Sequence, residues 1–129
     1  GEAEEEDTAF WKENVRDDCL VTERDIVSLF SLLRSGAWFV GNDTGPAHLA
    51  AFCGLETFLI FGPTDPLIWS PFAGAGTIFR GGGCIPCGTK HAASCRERRC
   101  LDDVRVAEVF SVVKRSVEEY AGKDYNTRA

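Results

Sequence analysis

A chain of 129 residues, 44% of them hydrophobic and with a formal net charge of −6, has room for one modest core and no more. No apolar run approaches the roughly 20 residues of a membrane-spanning helix, and no basic-then-apolar leader pattern opens the chain, so a cytoplasmic setting is the default expectation. The acidic balance disfavours nucleic acid as a partner. Between residues 80 and 100, however, Arg80, Lys90, Arg96, Arg98 and Arg99 face only Glu97, a local excess that reads first as a solvated loop and second as an attractor of phosphate.

In chain order, residues 3 to 14 pass from acidic to mixed, with Phe10 and Trp11 as anchors, and predict a helix whose first turn carries the acids. Cys19-Leu20-Val21 reads as a short strand. Thr22 to Asp25 forms a capping-box-like start, with a hydroxyl at the N-cap and a carboxylate three residues on. Ile26, Val27, Leu29, Phe30, Leu32 and Leu33 then fall at helical spacing, and Gly36 supplies the stop. Ala37-Trp38-Phe39-Val40 is an apolar run too short for a helix and predicts a strand buried on both faces. Gly41 to Gly45 ends it, and Pro46 suits the first position of a short helix running to about Cys53, with Leu49, Ala50 and Phe52 inward and Gly54 closing it. Residues 57 to 61 predict the next buried strand, Gly62 to Pro66 the turn after it, and residues 77 to 80 a further strand. Beyond a cysteine-rich loop over residues 80–101, Val104, Val106, Val109, Phe110, Val112, Val113 and Val117 mark a C-terminal helix ending near Gly122, and residues 123–129 read as a frayed tail.

Alternating apolar strands and helices with short loops imply parallel pairing and right-handed crossovers, a doubly wound α/β layer. Three or four strands are thin for this class, which usually has about five or six, so residues 1–122 are expected to form an incomplete Rossmann-like domain. The starting glycine and the absence of methionine lead to the same expectation of a piece cut from a longer protein. Ligands of such sheets sit beyond the carboxyl ends of the strands, where residues 42–46 and 62–66 should line one crevice. The amides of Thr44 and Gly45 suit an anionic oxygen, with Gly45 permitting close approach. Asp43 suits sugar hydroxyls or a helix cap, His48 lies one turn into the helix, and Thr64 and Asp65 face them from the second loop. Alone, Gly-Asn-Asp-Thr-Gly is also the composition of any tight turn, and a helical histidine is commonly a cap or core residue.

Four of the six cysteines, Cys84, Cys87, Cys95 and Cys100, fall within seventeen residues, whereas Cys19 and Cys53 sit in apolar contexts that suit buried thiols. The four supply enough thiolates for a closed tetrahedral zinc site, although the second pair is spaced more widely than usual. Zinc, reduced thiols and disulfides all stay open, the last disfavoured by a reducing compartment. A zinc-stabilised interaction module is the alternative from another class, and it leaves both crevice loops unexplained. Cys84-Ile85-Pro86-Cys87 also suggests a thioredoxin-like redox motif, but Gly88-Thr89-Lys90-His91 continues poorly into the long helix that motif requires.

The run Phe39-Val40-Gly41-Asn42-Asp43-Thr44-Gly45-Pro46-Ala47-His48-Leu49-Ala50-Ala51, followed by Phe61-Gly62-Pro63-Thr64-Asp65-Pro66, Trp69-x-Pro71 and the four-cysteine loop, resembles glycosyltransferase family 9, the ADP-heptose:lipopolysaccharide heptosyltransferases. The likeness covers roughly residues 20 to 120. It implies a GT-B architecture, with this chain as the distal part of the C-terminal, donor-binding domain. By resemblance, Thr44 and Gly45 would hold the donor diphosphate, Asp43 the sugar or ribose hydroxyls, and His48 would sit beside the phosphates. The catalytic base would be an aspartate of an N-terminal domain to which nothing here corresponds, so the chain alone is expected to be inactive. The implied partners are an ADP-sugar and a lipopolysaccharide core acceptor, in the cytoplasm at the inner face of the inner membrane. Transfer would need no cofactor, with zinc at most structural.

Overall fold

The computed structural model describes residues 10–16, 25–71, 76–84 and 86–121. Residues 10–14 are helical, which agrees with the end of the first predicted helix. The strand expected at Cys19-Leu20-Val21, the Thr22 cap and the tail lie outside the described residues. Helix α1 (Ile26–Arg34) leads into β1 (Trp38–Asn42), α2 (Gly45–Phe52) and β2 (Glu56–Ile60); α3 (Pro66–Trp69) and β3 (Thr77–Phe79) follow. Two short helices, α4 (Gly88–Ala92) and α5 (Arg99–Asp102), interrupt the cysteine-bearing segment before the long α6 (Val106–Ala121).

The N-cap of α1 is Asp25, three residues beyond Thr22. Its extended backbone lets Oδ1 accept from the amides of Val27 and Ser28 at 3.0 and 2.9 Å, satisfying donors that the first turn leaves free. Along α2 the prediction was half right. Leu49 is half-buried and Ala50 fully buried, but Phe52 is 75% exposed, because a step of two residues turns it away from the face shared by Ala47, Ala50 and Ala51. Pro46 is the second helical residue, not the first.

The three strands form one parallel sheet in the order β1-β2-β3, with Trp38 opposite Glu56 and Phe58 opposite Thr77. Alternation along the strands divides the core. Phe39, Leu59 and Phe61 meet Ala47 of α2 on one face, where Leu33, Ala50 and Leu55 extend the packing to α1. Phe58 and Phe79 meet Val109 of α6 on the other, with Val112 and Val113 alongside. Helices therefore cover both faces of β2, as a parallel strand requires. Strand β1 departs from its predicted double burial: Val40 is 48% exposed, since it faces an open groove between the sheet and α6 that side chains only partly fill.

Helix α6 is fastened at the β1 side of the sheet. The indole N–H of Trp38 donates to Ser116 Oγ at 3.1 Å, that hydroxyl donates on to Glu56 Oε2, and the Trp38 ring meets Tyr120 edge to face at 4.9 Å. Hydrogen bonds from Ser28, its hydroxyl first and its amide second, hold the Asp25 carboxyl below its ordinary value of 3.8. A depressed carboxyl stabilises the fold above its ordinary value and loses that contribution as pH falls through the folded value. Asp25→Ala should thus melt at a lower temperature than the parent at pH 7, with the difference shrinking by pH 2. Thermal melts at both pH values check this, and a constant difference would contradict it.

Candidate functional site

Parallel pairing in register brings Asn42 opposite Ile60, so the segments that follow β1 and β2 leave the same edge of the sheet side by side. They touch. Thr64 Oγ1 donates to Asp43 Oδ2 at 2.7 Å across 21 residues of sequence, and the Asp43 side chain is only 13% exposed. His48, one turn into α2, brings Nε2 to 4.0 Å from Asp43 Oδ1, beyond hydrogen-bonding distance but close enough to form an ion pair when protonated. Thus three of the residues singled out from sequence, Asp43, His48 and Thr64, meet at one point.

Thr44 is the N-cap of α2, yet its side chain does not cap. Its hydroxyl donates instead to the Asn42 carbonyl at 3.3 Å. The helix therefore begins without a side-chain cap, and its positive dipole end lies open beside Asp43. Gly45 is exposed, its φ is not positive, and a Cβ added there meets nothing within 4 Å. The value of glycine at that position is space for an approaching group, not backbone freedom. Asp65 is the N-cap of α3, its Oδ1 accepting from the Leu67 amide at 3.0 Å.

The cysteine-bearing segment folds against this edge, which sequence reasoning did not foresee. The amides of Cys87 and Gly88 both donate to the Pro63 carbonyl at 3.0 Å, the Gly81 amide donates to Cys100 O at 2.9 Å, and Leu101 lies where a Cβ on Gly62 would touch it. No local signal marks these links, because each joins segments whose sequences read independently as loops. Arg80 is not a solvated loop residue either. It follows β3 half-buried, with Nε and Nη2 out of water and without hydrogen-bond partners among the described residues.

Cys84, Cys87 and Cys95 are exposed, Cys100 is buried, and these four and Cys53 are free thiols. Burial pushes the Cys100 thiol above its ordinary value of 9.0; Cys84 adds to the rise, Arg80 opposes it and Cys87 contributes less. Among the described residues, no group of three or more His, Cys, Asp or Glu side chains is arranged to hold a metal ion. Nor does a long helix follow Cys87, since α4 has only five residues.

Beside the crevice, Val40, Asn42, Ile60, Leu101, Val106 and Phe110 help to line an apolar groove of about 570 Å³ between the sheet and α6. A Cβ on Gly81 would run into the Arg99 carbonyl where α5 passes closest to the end of β3. Gly81→Ala should therefore destabilise the chain towards the upper end of the about 1–3 kcal/mol typical of overpacking, as measured by denaturant unfolding. An unchanged midpoint would show that the two segments separate easily.

Comparison with known proteins gives a consistent result. The family model described as Glycosyltransferase family 9 (heptosyltransferase) matches residues 2–100. Two lipooligosaccharide heptosyltransferase 2 proteins of Campylobacter jejuni are similar. The one from serotype O:2 is 28% identical over 105 residues, 80% of this chain, and the one from serotype O:6 is 26% identical over 106 residues, 81% of it. The chain spans about a third of the length of these relatives, 33% in each case. No solved structure matches it.

Proposed function

The chain belongs to glycosyltransferase family 9, and we propose that it is the distal part of the donor-binding domain of an inverting, GT-B-type transferase that moves heptose from an ADP-heptose-like nucleotide sugar to the lipopolysaccharide inner core. The observation that carries this reading is the meeting of two loops at the carboxyl edge of a parallel sheet, joined by the 2.7 Å bond from Thr64 to Asp43 beside a helix start with no side-chain cap. A diphosphate is the natural guest of such an edge, because amides at a helix start present donors and partial positive charge together.

In this proposal the amides of Thr44 and Gly45 bind the donor diphosphate and His48 lies alongside. Asp43 would repel a phosphate that shared its position, so its carboxylate serves the sugar or ribose hydroxyls. As the bond to the anomeric carbon breaks, negative charge grows on the departing diphosphate, and fixed amide dipoles stabilise that charge more in the transition state than in the ground state. The acceptor, and the carboxylate base that deprotonates its hydroxyl, belong to a companion N-terminal domain. No helix among the described residues is long and apolar enough to cross a membrane; we assign the reaction to the cytoplasm, with contact at the inner face of the inner membrane.

Gly45→Val tests the anion end. The added side chain meets open space and no positive φ, so the variant should fold normally while its affinity for ADP falls by more than about tenfold in calorimetry, a loss equivalent to one good charged hydrogen bond. Unchanged binding would move the site elsewhere. Asp43→Asn should weaken ADP-heptose more than ADP; equal losses for both ligands would assign Asp43 to structure instead of sugar recognition.

A second expectation concerns chemistry. With the base assigned to the companion domain, within about 3 Å of the acceptor oxygen, the 129-residue chain should release no ADP in an acceptor-dependent manner. Acceptor-dependent release by the chain alone would refute that division of roles, whereas slow hydrolysis of the donor by water would not.

A further inference from the structure

Thr64 and the segment around Cys87 form one mechanical path to Asp43. The Pro63 carbonyl accepts from two consecutive amides, those of Cys87 and Gly88, both at 3.0 Å. Gly88 itself takes φ +69°, a left-handed conformation that glycine reaches without penalty. Both lone pairs of the Pro63 oxygen are engaged by these two amides. The next residue, Thr64, gives its hydroxyl to Asp43 at 2.7 Å.

The direction of that last bond matters. Asp43 lies two residues before the first residue of α2, whose amides no side chain caps. A short acidic side chain so close to a helix start is drawn towards the free amides, where it would occupy the place of an incoming anion. Thr64 pulls the carboxylate towards the second loop instead. His48 Nε2, at 4.0 Å, is too far to restrain it by a hydrogen bond.

We propose that Thr64 is a positioning residue that holds the Asp43 carboxylate away from the α2 amides, and that the Cys87 and Gly88 amides, by fixing Pro63, keep Thr64 in place to do so. The cysteine-bearing segment then acts on the anion site through its backbone and not through its thiols. The effect on ligand binding rests on the donor-site reading given above; the position of the carboxylate does not.

Four single variants of the chain separate the parts. Thr64→Val removes the hydroxyl while keeping the shape, and Thr64→Ser restores it. Cys87→Pro removes an amide N–H, and Cys87→Ala removes only the thiol. Melting curves identify variants that fold. In the absence of ligand, the carbon-13 resonance of the Asp43 carboxyl should shift in Thr64→Val and Cys87→Pro and stay in place in Thr64→Ser and Cys87→Ala. ADP affinity, measured by calorimetry, should fall about tenfold in the first pair and stay within about twofold in the second. Asp43→Asn added to Thr64→Val should recover most of that loss, because a neutral amide does not compete for the anion's place; a merely structural Thr64 gives no such recovery.

An unmoved carboxyl resonance in Thr64→Val would overturn the proposal, as would Cys87→Ala acting like Cys87→Pro. Should Cys87→Pro fail to fold, Thr64→Val with its serine control still decides the role of Thr64. If the unaltered chain binds no ADP, the donor-site reading fails, while the carboxyl resonance still decides whether Thr64 positions Asp43.

Discussion

Everything at the candidate site depends on the parallel pairing of β1 with β2. In an antiparallel pair, the segments leaving the two strands would point to opposite edges; in register and parallel, with Asn42 opposite Ile60, they emerge together. The pairing is held by β2, whose Phe58 and Leu59 are each 1% exposed, with the adjoining Phe61 at 0%. At about 25 cal/mol for each Å² of apolar surface removed from water, such side chains contribute most of what keeps a thin sheet together. The bond from Thr64 to Asp43 is a product of this register: it is short because the strands beneath it are aligned, and it adds little to holding them so.

Much of this was legible in the sequence, for reasons that differ from element to element. The strand at Glu56–Ile60 was found within one residue of its start because an apolar, β-branched run bounded by glycines has few alternatives. Helix α1 was found, but its cap was read as Thr22 when Asp25 serves; both residues satisfy the chemistry of a cap, and only the backbone decides between them. Double burial of β1 was misjudged because cover for Val40 depends on elements remote in sequence. The crevice loops were named correctly as neighbours from the general behaviour of parallel sheets. Their specific link, and the grip of Cys87 and Gly88 on Pro63, were invisible because they depend on how three loops meet in space. For the same reason Arg80 looked like part of a basic surface stretch until its guanidinium was seen to turn inward.

Family membership and geometry support different parts of the functional reading. Membership brings the family, and the chain matches about a third of the length of the relatives it resembles. The geometry contributes a local statement: which carboxylate stands beside the uncapped start of α2, and what holds that carboxylate. The cysteine loop belongs to this second category. Its amides, those of Cys87 and Gly88, reach the crevice through the Pro63 carbonyl.

The attachment of α6 also has a dynamic consequence. Trp38 and Ser116 are separated by 78 positions, and the helix that Ser116 belongs to leaves Phe110 65% and Val106 84% exposed. Such a helix joins the sheet by closing a long loop and gains only part of its apolar surface in return. It can therefore lift from the sheet in excursions far smaller than global unfolding. The contacts that shape the crevice all precede Val106 in the chain, so they can persist while the helix lifts. Amides of α6 should then exchange with solvent hydrogen ahead of those of β2, and the sheet edge that faces the crevice should be the longest-lived part of the molecule.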